Sequence, residues 1–409
     1  MGAIKPTVAA KKLQTSKKVT SKVSAANGGT FSQMSKLESF LNKHYEFKRN
    51  VVNSRVMLKL KTEKVFRLMT EVELNSIYRF ISKNNIRLTI GTLEKLIKSD
   101  FTHSFDPFKD YLFGLPKHKG ASDYIDLLAD CVPTANQEYW KKCFKTWIVA
   151  LVASLIEEDV VNHQVIVLSG KQGVGKTTFV YSMIPKELKS YFYSGSISLK
   201  DRDTSLMISE CMLINLDELG SLNRSDISGL KELITKNAIN LRKPYAPYSE
   251  IYIRRASFIG SVNGMGFLTD TTGNRRFLSH EVINFINTKH SIDLDKVYAQ
   301  ALHLYKTGFK FYFDKEDIDE IEKNNERFRD VSIEEELLLN YFEPIAAIET
   351  DDFMSATDVL VYLQKFVNIV MSNATKQNIG KALTKLGFNR VKRKGSQVYA
   401  VKLKNKITK

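Results

Sequence analysis

The chain has 409 residues, 43% of them hydrophobic and 26% charged, a balance that fits a soluble globular protein with room for two or three cores. Its longest apolar run is about ten residues, roughly half of what a bilayer crossing needs, and the N-terminus lacks the apolar segment of a secretory signal. Three well-separated cysteines (Cys131, Cys143, Cys211) argue against a disulfide framework or a zinc site, so a cytoplasmic protein is expected.

The net charge of +16 sits at the two ends. Residues 1–30 carry six lysines and no acid, and residues 376–409 carry eleven basic residues and no acid, which together account for the whole excess. Positive ends on a neutral body point to a polyanionic partner, nucleic acid first, with tails that only aid solubility as the alternative.

In chain order, residues 1–30 are rich in Lys, Ser, Thr, Ala and Gly, have no aromatic residue, and are expected to be a disordered basic tail. Residues 31–160 predict a helical domain. Apolar residues recur at helical spacing over 37–41, 72–81, 93–97 and 124–128 and again from Trp140, broken by the turn-rich runs Phe105-Asp106-Pro107-Phe108 and Leu115-Pro116. From 163 the pattern becomes short β-branched runs alternating with helices, which predicts an α/β domain over 161–345 with a parallel sheet. Strands are expected at 165–168, 211–216 and 257–262. A helix at 226–235 and a hairpin pairing 239–243 with 250–254 fall between the last two, and helices return over 293–345.

Residues 346–409 have their own plan. Ser355 and Asp358 form a capping box opening a helix over 357–366. Thr375 is expected to cap a second helix, with Ile379, Ala382, Leu383 and Leu386 on one face and Gly387 ending it. Strands at 388–393 and 397–403 turn at Lys394-Gly395-Ser396. Helix, helix, hairpin is the outline of a winged helix-turn-helix.

The chemistry is concentrated in 170–178. Gly170-Lys171-Gln172-Gly173-Val174-Gly175-Lys176-Thr177 matches the P-loop pattern in full, and Thr178 follows it into a predicted helix. The glycines Gly170, Gly173 and Gly175 let backbone N–H groups cradle the phosphates of ATP, Lys176 reaches the β- and γ-phosphates, and the Thr177 hydroxyl holds Mg²⁺. About forty residues on, the apolar strand 211–216 ends in Asp217-Glu218. Asp217 is the second magnesium residue, and Glu218 polarises the attacking water, which points to hydrolysis. Asn263 at the tip of the third strand is placed to sense the γ-phosphate. Arg275 and Arg276, in a Gly-Asn turn, are either surface charges or an arginine finger offered to a neighbouring subunit.

These residues resemble the virulence-associated E family of phage and mobile-element ATPases, related to superfamily 3 helicases in the AAA+ class. The resemblance is carried by the P-loop, Leu216-Asp217-Glu218-Leu219, Leu230-Lys231-Glu232-Leu233-Ile234, Phe258-Ile259-Gly260-Ser261-Val262-Asn263 and Gly273-Asn274-Arg275-Arg276-Phe277, with Asp106-Pro107-Phe108 upstream. It covers roughly 40–340 and departs from the family at Lys117-His118-Lys119-Gly120. It implies a replicative helicase or helicase-loading ATPase, a homo-oligomer forming hexameric rings around DNA, with priming supplied by a separate protein.

By the same resemblance, a hairpin before the sensor strand grips single-stranded DNA in the ring channel. Here its tip carries Lys243, Tyr245 and Tyr248, a charge and two rings suited to phosphate and base stacking; the tyrosines packing between subunits is the alternative. In the C-terminal module, Lys376, Lys381 and Lys385 are expected on the polar face of a recognition helix, and Arg390, Lys392, Arg393 and Lys394 on a wing contacting duplex phosphates. A basic docking domain for another protein is the other reading. An origin-binding initiator, in which ATP switches assembly without unwinding, is the alternative for the whole chain.

Overall fold

The computed structural model describes residues 33–404 apart from 121, 199–200, 218, 222–223, 243–247, 269–272, 331, 351 and 394. The expected basic tail, Glu218, the hairpin tip with Lys243 and Tyr245, and Lys394 therefore lie outside the described residues. The chain divides into two compact units, one formed by residues up to 104 without 51–53, the other by 51–53 and 105–409.

In the first unit, helices Gln33–His44, Glu71–Lys83 and Ile90–Ile97 stand where helical spacing predicted them. The expectation of a mainly helical 31–160 missed a four-stranded sheet of Tyr45–Asn50, Val56–Leu60, Arg67–Leu68 and His103–Phe105. Tyr45, Phe47, Val56 and Leu58 alternate with Glu, Lys and Met, so one face of the sheet meets Leu37, Leu41, Ile77, Ile81 and Leu93. The short period-2 signal was obscured by the stronger helical pattern on either side. The turn expected at Phe105–Phe108 is a helix start. Asp106 accepts from the N–H groups of Phe108 and Lys109, and Pro107 opens helix Pro107–Gly114.

The second unit is built on a parallel five-stranded sheet: β1 (Val165–Ser169), β2 (Phe192–Gly195), β3 (Leu213–Leu216), β4 (Ser257–Val262) and β5 (Phe277–Glu281), in spatial order β5-β1-β4-β3-β2. Strand side chains alternate between two cores. Ile166, Leu168, Leu213, Ile259 and Leu278 join Trp140, Phe144, Trp147 and Leu151 of helix Gln137–Ile156 on one side. Val165, Val167, Ile214, Leu216, Phe258 and Phe277 join Ile227, Leu230 and Ile234 of helix Arg224–Thr235 on the other. A parallel sheet covered on both faces needs largely apolar strands, which the Val-Ile-Val-Leu run of β1 supplies most fully, and every residue of β3 and β4 is buried with it. Strand β5 escaped prediction because Phe-Leu-Ser-His-Glu carries a serine and a histidine that only the tertiary packing buries, and β2 because Phe-Tyr-Ser-Gly is short and only half-buried at the sheet edge. No helix among the described residues is long and apolar enough to cross a membrane.

The hairpin forms as expected, with Ala238–Leu241 antiparallel to Glu250–Ile253. Its base is clamped by two buried arginines. Arg254 donates to the carbonyls of Ile234, Asn162 and Ala256. Arg255 donates to the Leu155 carbonyl and pairs with Asp106 at 3.2 Å. Burial pushes the Arg254 pKa down to about 9, which leaves it charged at neutral pH.

A further apolar cluster closes the C-terminal part. Helix Ile333–Tyr341 contributes Leu338, and helices Ala356–Leu363 and Asn373–Lys385 pack on the hairpin of Arg390–Arg393 with Ser396–Leu403. The Ser355–Asp358 capping box is present, and Gly387 takes the left-handed conformation after the second helix. The cap of that helix is Ser372, whose hydroxyl accepts from the Thr375 N–H, and not Thr375 itself.

Replacing Arg254 with alanine strands three carbonyls in an apolar interior, a loss of about 3 kcal/mol that should lower the thermal midpoint by roughly 6–12 °C. His280, wholly buried between the Tyr139 and Trp140 rings, has its pKa pushed down to about 3 from 6.5 by burial. The unfolded chain therefore takes up this proton first, so the stability is complete above about pH 6.5 and declines as pH falls toward 3. Between pH 7 and 5 the loss should be about 2 kcal/mol, read as a falling thermal midpoint, with a shallower fall in His280→Leu.

Candidate nucleotide-phosphate site

The loops after β1, β3 and β4 leave the same edge of the sheet, since the three strands are parallel and adjacent. Open α/β sheets bind ligands at the carboxyl ends of their strands. Here those ends enclose a cavity of about 550 Å³, lined by Gln172, Gly173, Gly175, Lys176, Thr177, Thr178, Ser196, Asp217, Ser261 and Asn263.

The glycines of the first loop have steric causes. A Cβ on Gly170 would stand 2.8 Å from the Val282 carbonyl oxygen, and one on Gly175, at φ +99°, would stand 2.9 Å from Thr288. Helix Lys176–Ser182 starts directly after Gly175. Lys176 is only 6% exposed. Its ammonium donates to the carbonyls of Gly170 (2.8 Å) and Lys171 (2.9 Å) and to Asn263 Oδ1 (3.3 Å), while burial lowers its pKa. The lysine and the tip residue of β4, read separately from the sequence, thus meet.

Thr177 Oγ1 donates to Asp217 Oδ1 at 3.2 Å, which joins the other two predicted partners. Three residues that sequence reasoning passed over surround the same carboxylate: Asn215 Nδ2 donates to Oδ1 at 2.7 Å, Ser194 Oγ to Oδ2 at 2.7 Å, and Ser261 Oγ stands 3.4 Å from Oδ1. The available signal was Asn215 itself, an amide inside the otherwise apolar run of β3. The donor set suits a hard cation. Asp217 is the one carboxylate lining the cavity, and the hydroxyls of Thr177 and Ser261 lie beside it. Thr177 and Asp217 are the residues that could hold such a cation, since magnesium takes few protein oxygens.

Arg275 and Arg276 are not brought to this cavity. They precede β5, whose Phe277 lies opposite Val165 at the start of β1, while the loop follows the end of β1. Five strand residues, roughly 16 Å, separate the two edges. Their turn is held rigidly, with Asn325 Nδ2 donating to the carbonyls of Asn274 and Phe277 and Lys231 Nζ donating to Asn274 Oδ1. Arg275 is exposed; Arg276 is half-buried, and burial followed by the neighbouring Arg275 lowers its pKa.

Of the expected DNA-contacting residues that are described, Tyr248 is 76% exposed and Lys381, Arg390 and Lys392 are exposed. Lys376 is half-buried. Lys385, one helical turn from Lys381, is half-buried. It pairs with the buried carboxylate of Glu335, which also takes Arg329 at 3.4 Å, because a carboxylate enclosed by helix Ile333–Tyr341 needs cations beside it. The Arg393 guanidinium is stacked on Phe353, 3.5 Å from its ring centroid.

Comparison with known proteins gives one family. The model of the Virulence-associated protein E-like domain matches residues 112–330. Among solved structures, "The apo structure of NrS-1 C terminal region (305-718)" aligns with 90% of this chain and 98% of its own at 14% identity and a TM-score of 0.47. "The A form apo structure of NrS-1 C terminal region-CTR" does so over the same shares at 13% identity and 0.45. No curated protein matches the sequence. The matched span takes in more than half of the chain, all five strands of the parallel sheet and every residue lining the cavity, and on that ground the chain belongs to the virulence-associated protein E-like family.

Proposed function

We propose that the protein is an ATP-dependent DNA translocase or helicase that acts in the replication of a phage or mobile element as a ring oligomer. The observation that carries this reading is the convergence of Lys176, Thr177, Asp217 and Asn263 on one cavity at the carboxyl edge of a parallel sheet. The second unit reads as a P-loop AAA+ core followed by a winged-helix module.

In this reading the backbone of 170–175 and Lys176 bind the triphosphate, and Asn263, already in contact with Lys176, reports on the γ-phosphate. Magnesium, when bound between Thr177 and Asp217, supplies Lewis-acid neutralisation of the phosphate charge. Glu218, next in sequence to Asp217, is assigned the role of orienting water.

The remote position of Arg275 and Arg276 supports a finger that serves a neighbour's nucleotide, since a rigid turn some 16 Å away along β1 does not fold back onto its own site. A finger of that kind favours ring assembly, with hydrolysis at each interface. The clamped base of the hairpin supports its use as a lever: Arg254 and Arg255 join it to β4, the strand that carries Asn263. The exposed Lys381, Arg390 and Lys392 favour duplex phosphate contacts by the C-terminal module.

ATP turnover measured with and without single-stranded DNA, then strand separation of a forked duplex, tests the motor. Lys176→Ala should lower kcat/KM by about 100-fold or more, and Glu218→Gln should bind ATP without turning it over. Duplex binding with no unwinding would favour an initiator instead. For the finger, Arg275→Ala and Arg276→Ala are each mixed with Lys176→Ala. The arginine that acts in trans should regain part of the lost turnover in mixed rings, and normal turnover by both single variants would remove the role.

A further inference from the structure

We infer that Ser194 and Asn215 are positioning residues that aim the Asp217 carboxylate at the divalent cation, an assignment that rests on the nucleotide reading above. The geometry is a closed ring of three side chains. Asn215 Nδ2 donates both to Asp217 Oδ1 (2.7 Å) and to Ser194 Oγ (2.8 Å), and Ser194 Oγ donates onward to Asp217 Oδ2 (2.7 Å). The sheet creates the ring. Ser194 on β2 is directly opposite Asn215 on β3, and Asp217 follows Asn215 by two residues, the spacing that returns a side chain to the same face.

A carboxylate held at one oxygen still rotates about its Cβ–Cγ bond; held at both, it does not. The other neighbours of Oδ1 are Thr177 Oγ1 at 3.2 Å and Ser261 Oγ at 3.4 Å, and Thr177 with Asp217 would hold the cation. Every donor in the ring is uncharged. The bracket therefore orients the carboxylate without an ammonium or guanidinium competing with the metal for its charge.

Packing does not account for Asn215. It lies wholly buried between Ile214 and Leu216, and its own Oδ1 is buried without a hydrogen-bond partner. A leucine or valine would serve the sheet better, and a buried polar atom left unpaired calls for a reason. Turning the amide over would point its carbonyl at a carboxylate oxygen, acceptor against acceptor, so the orphaned oxygen is the consequence of directing both N–H bonds at the ring. The cost is accepted at this position because the amide protons are needed there. Ser194, by contrast, is exposed, and losing its hydroxyl disturbs no core.

The test measures binding separately from turnover. Affinity for a fluorescent ATP analogue is determined in EDTA and across a Mg²⁺ titration for the full chain, for Ser194→Ala, Ser194→Thr and Asn215→Leu, with Asp217→Asn as reference. Unaltered binding in EDTA is expected for Ser194→Ala and Asn215→Leu, together with about tenfold more Mg²⁺ to reach the half-maximal affinity gain and half-maximal hydrolysis, and recovery in Ser194→Thr. Should Asn215→Leu fail to fold, Ser194→Ala carries the comparison alone. Wild-type Mg²⁺ dependence in Ser194→Ala and Asn215→Leu overturns the inference, as does an equal loss of binding in EDTA, which would make the pair a support of the pocket. If the unaltered protein binds no nucleotide under either condition, the nucleotide reading itself falls.

Discussion

The rest of the second unit depends on the burial of β1 on both faces. Val165 and Val167 belong to one core, Ile166 and Leu168 to the other, and β4 and β5 pair with its two edges. A strand so enclosed has no side chain to spare for chemistry, so chemistry is confined to its ends. At its carboxyl end the chain turns through three glycines and delivers Lys176 and Thr177. At its amino end the register with β5 sets the arginine turn. A slip of one residue would exchange the two cores, which makes the separation between loop and arginines a fixed property of the sheet.

Polar groups enter this apolar frame only where they hold something. Arg254 spends its protons on three carbonyls and thereby joins helix Arg224–Thr235, the segment before β1 and the start of β4. Arg255 ties the same point to Asp106, which also caps the helix beginning at Pro107. The Asp106-Pro107-Phe108 run is thus an anchor for the base of the hairpin. Glu335 is a second such node, binding Arg329 and Lys385 and linking the helix after the α/β core to the helix Asn373–Lys385. In low dielectric each of these groups is costly alone and stabilising as a set, so they join elements that the apolar cores leave independent.

The legible parts of the sequence were those with a local cause. Helical spacing located the helices over 33–44, 71–83, 90–97 and 137–156, β-branched runs located the three central strands, and the Ser355–Asp358 box marked a helix start. Where burial is conferred by distant segments the reading failed: β2 and β5 look polar, and the strands of the first unit alternate apolar residues with charges. The boundary near 104 was missed for the same reason, since it depends on which core each segment joins. In the site, Lys176, Thr177, Asp217 and Asn263 were each readable, while Ser194 was not, because its importance comes from lying opposite Asn215 on a neighbouring strand. The pairing of Lys385 with Glu335 was not legible because helical spacing specifies a face but not what packs against it.

By itself, then, the sequence determined a glycine-rich turn between a buried strand and a helix, because Gly173 and Gly175 adopt positive φ values that other residues disfavour. It likewise determined the acid ending β3 and the basic character of the C-terminal module. Only the tertiary structure decided that these meet: that Lys176 reaches Asn263 across 87 residues, that Thr177 reaches Asp217 across 40, and that the arginine turn faces away from both. Strand order and register are set by the packing of two cores against one sheet. No window of local sequence contains that information, because the energy that fixes it comes from surfaces buried between segments far apart in the chain.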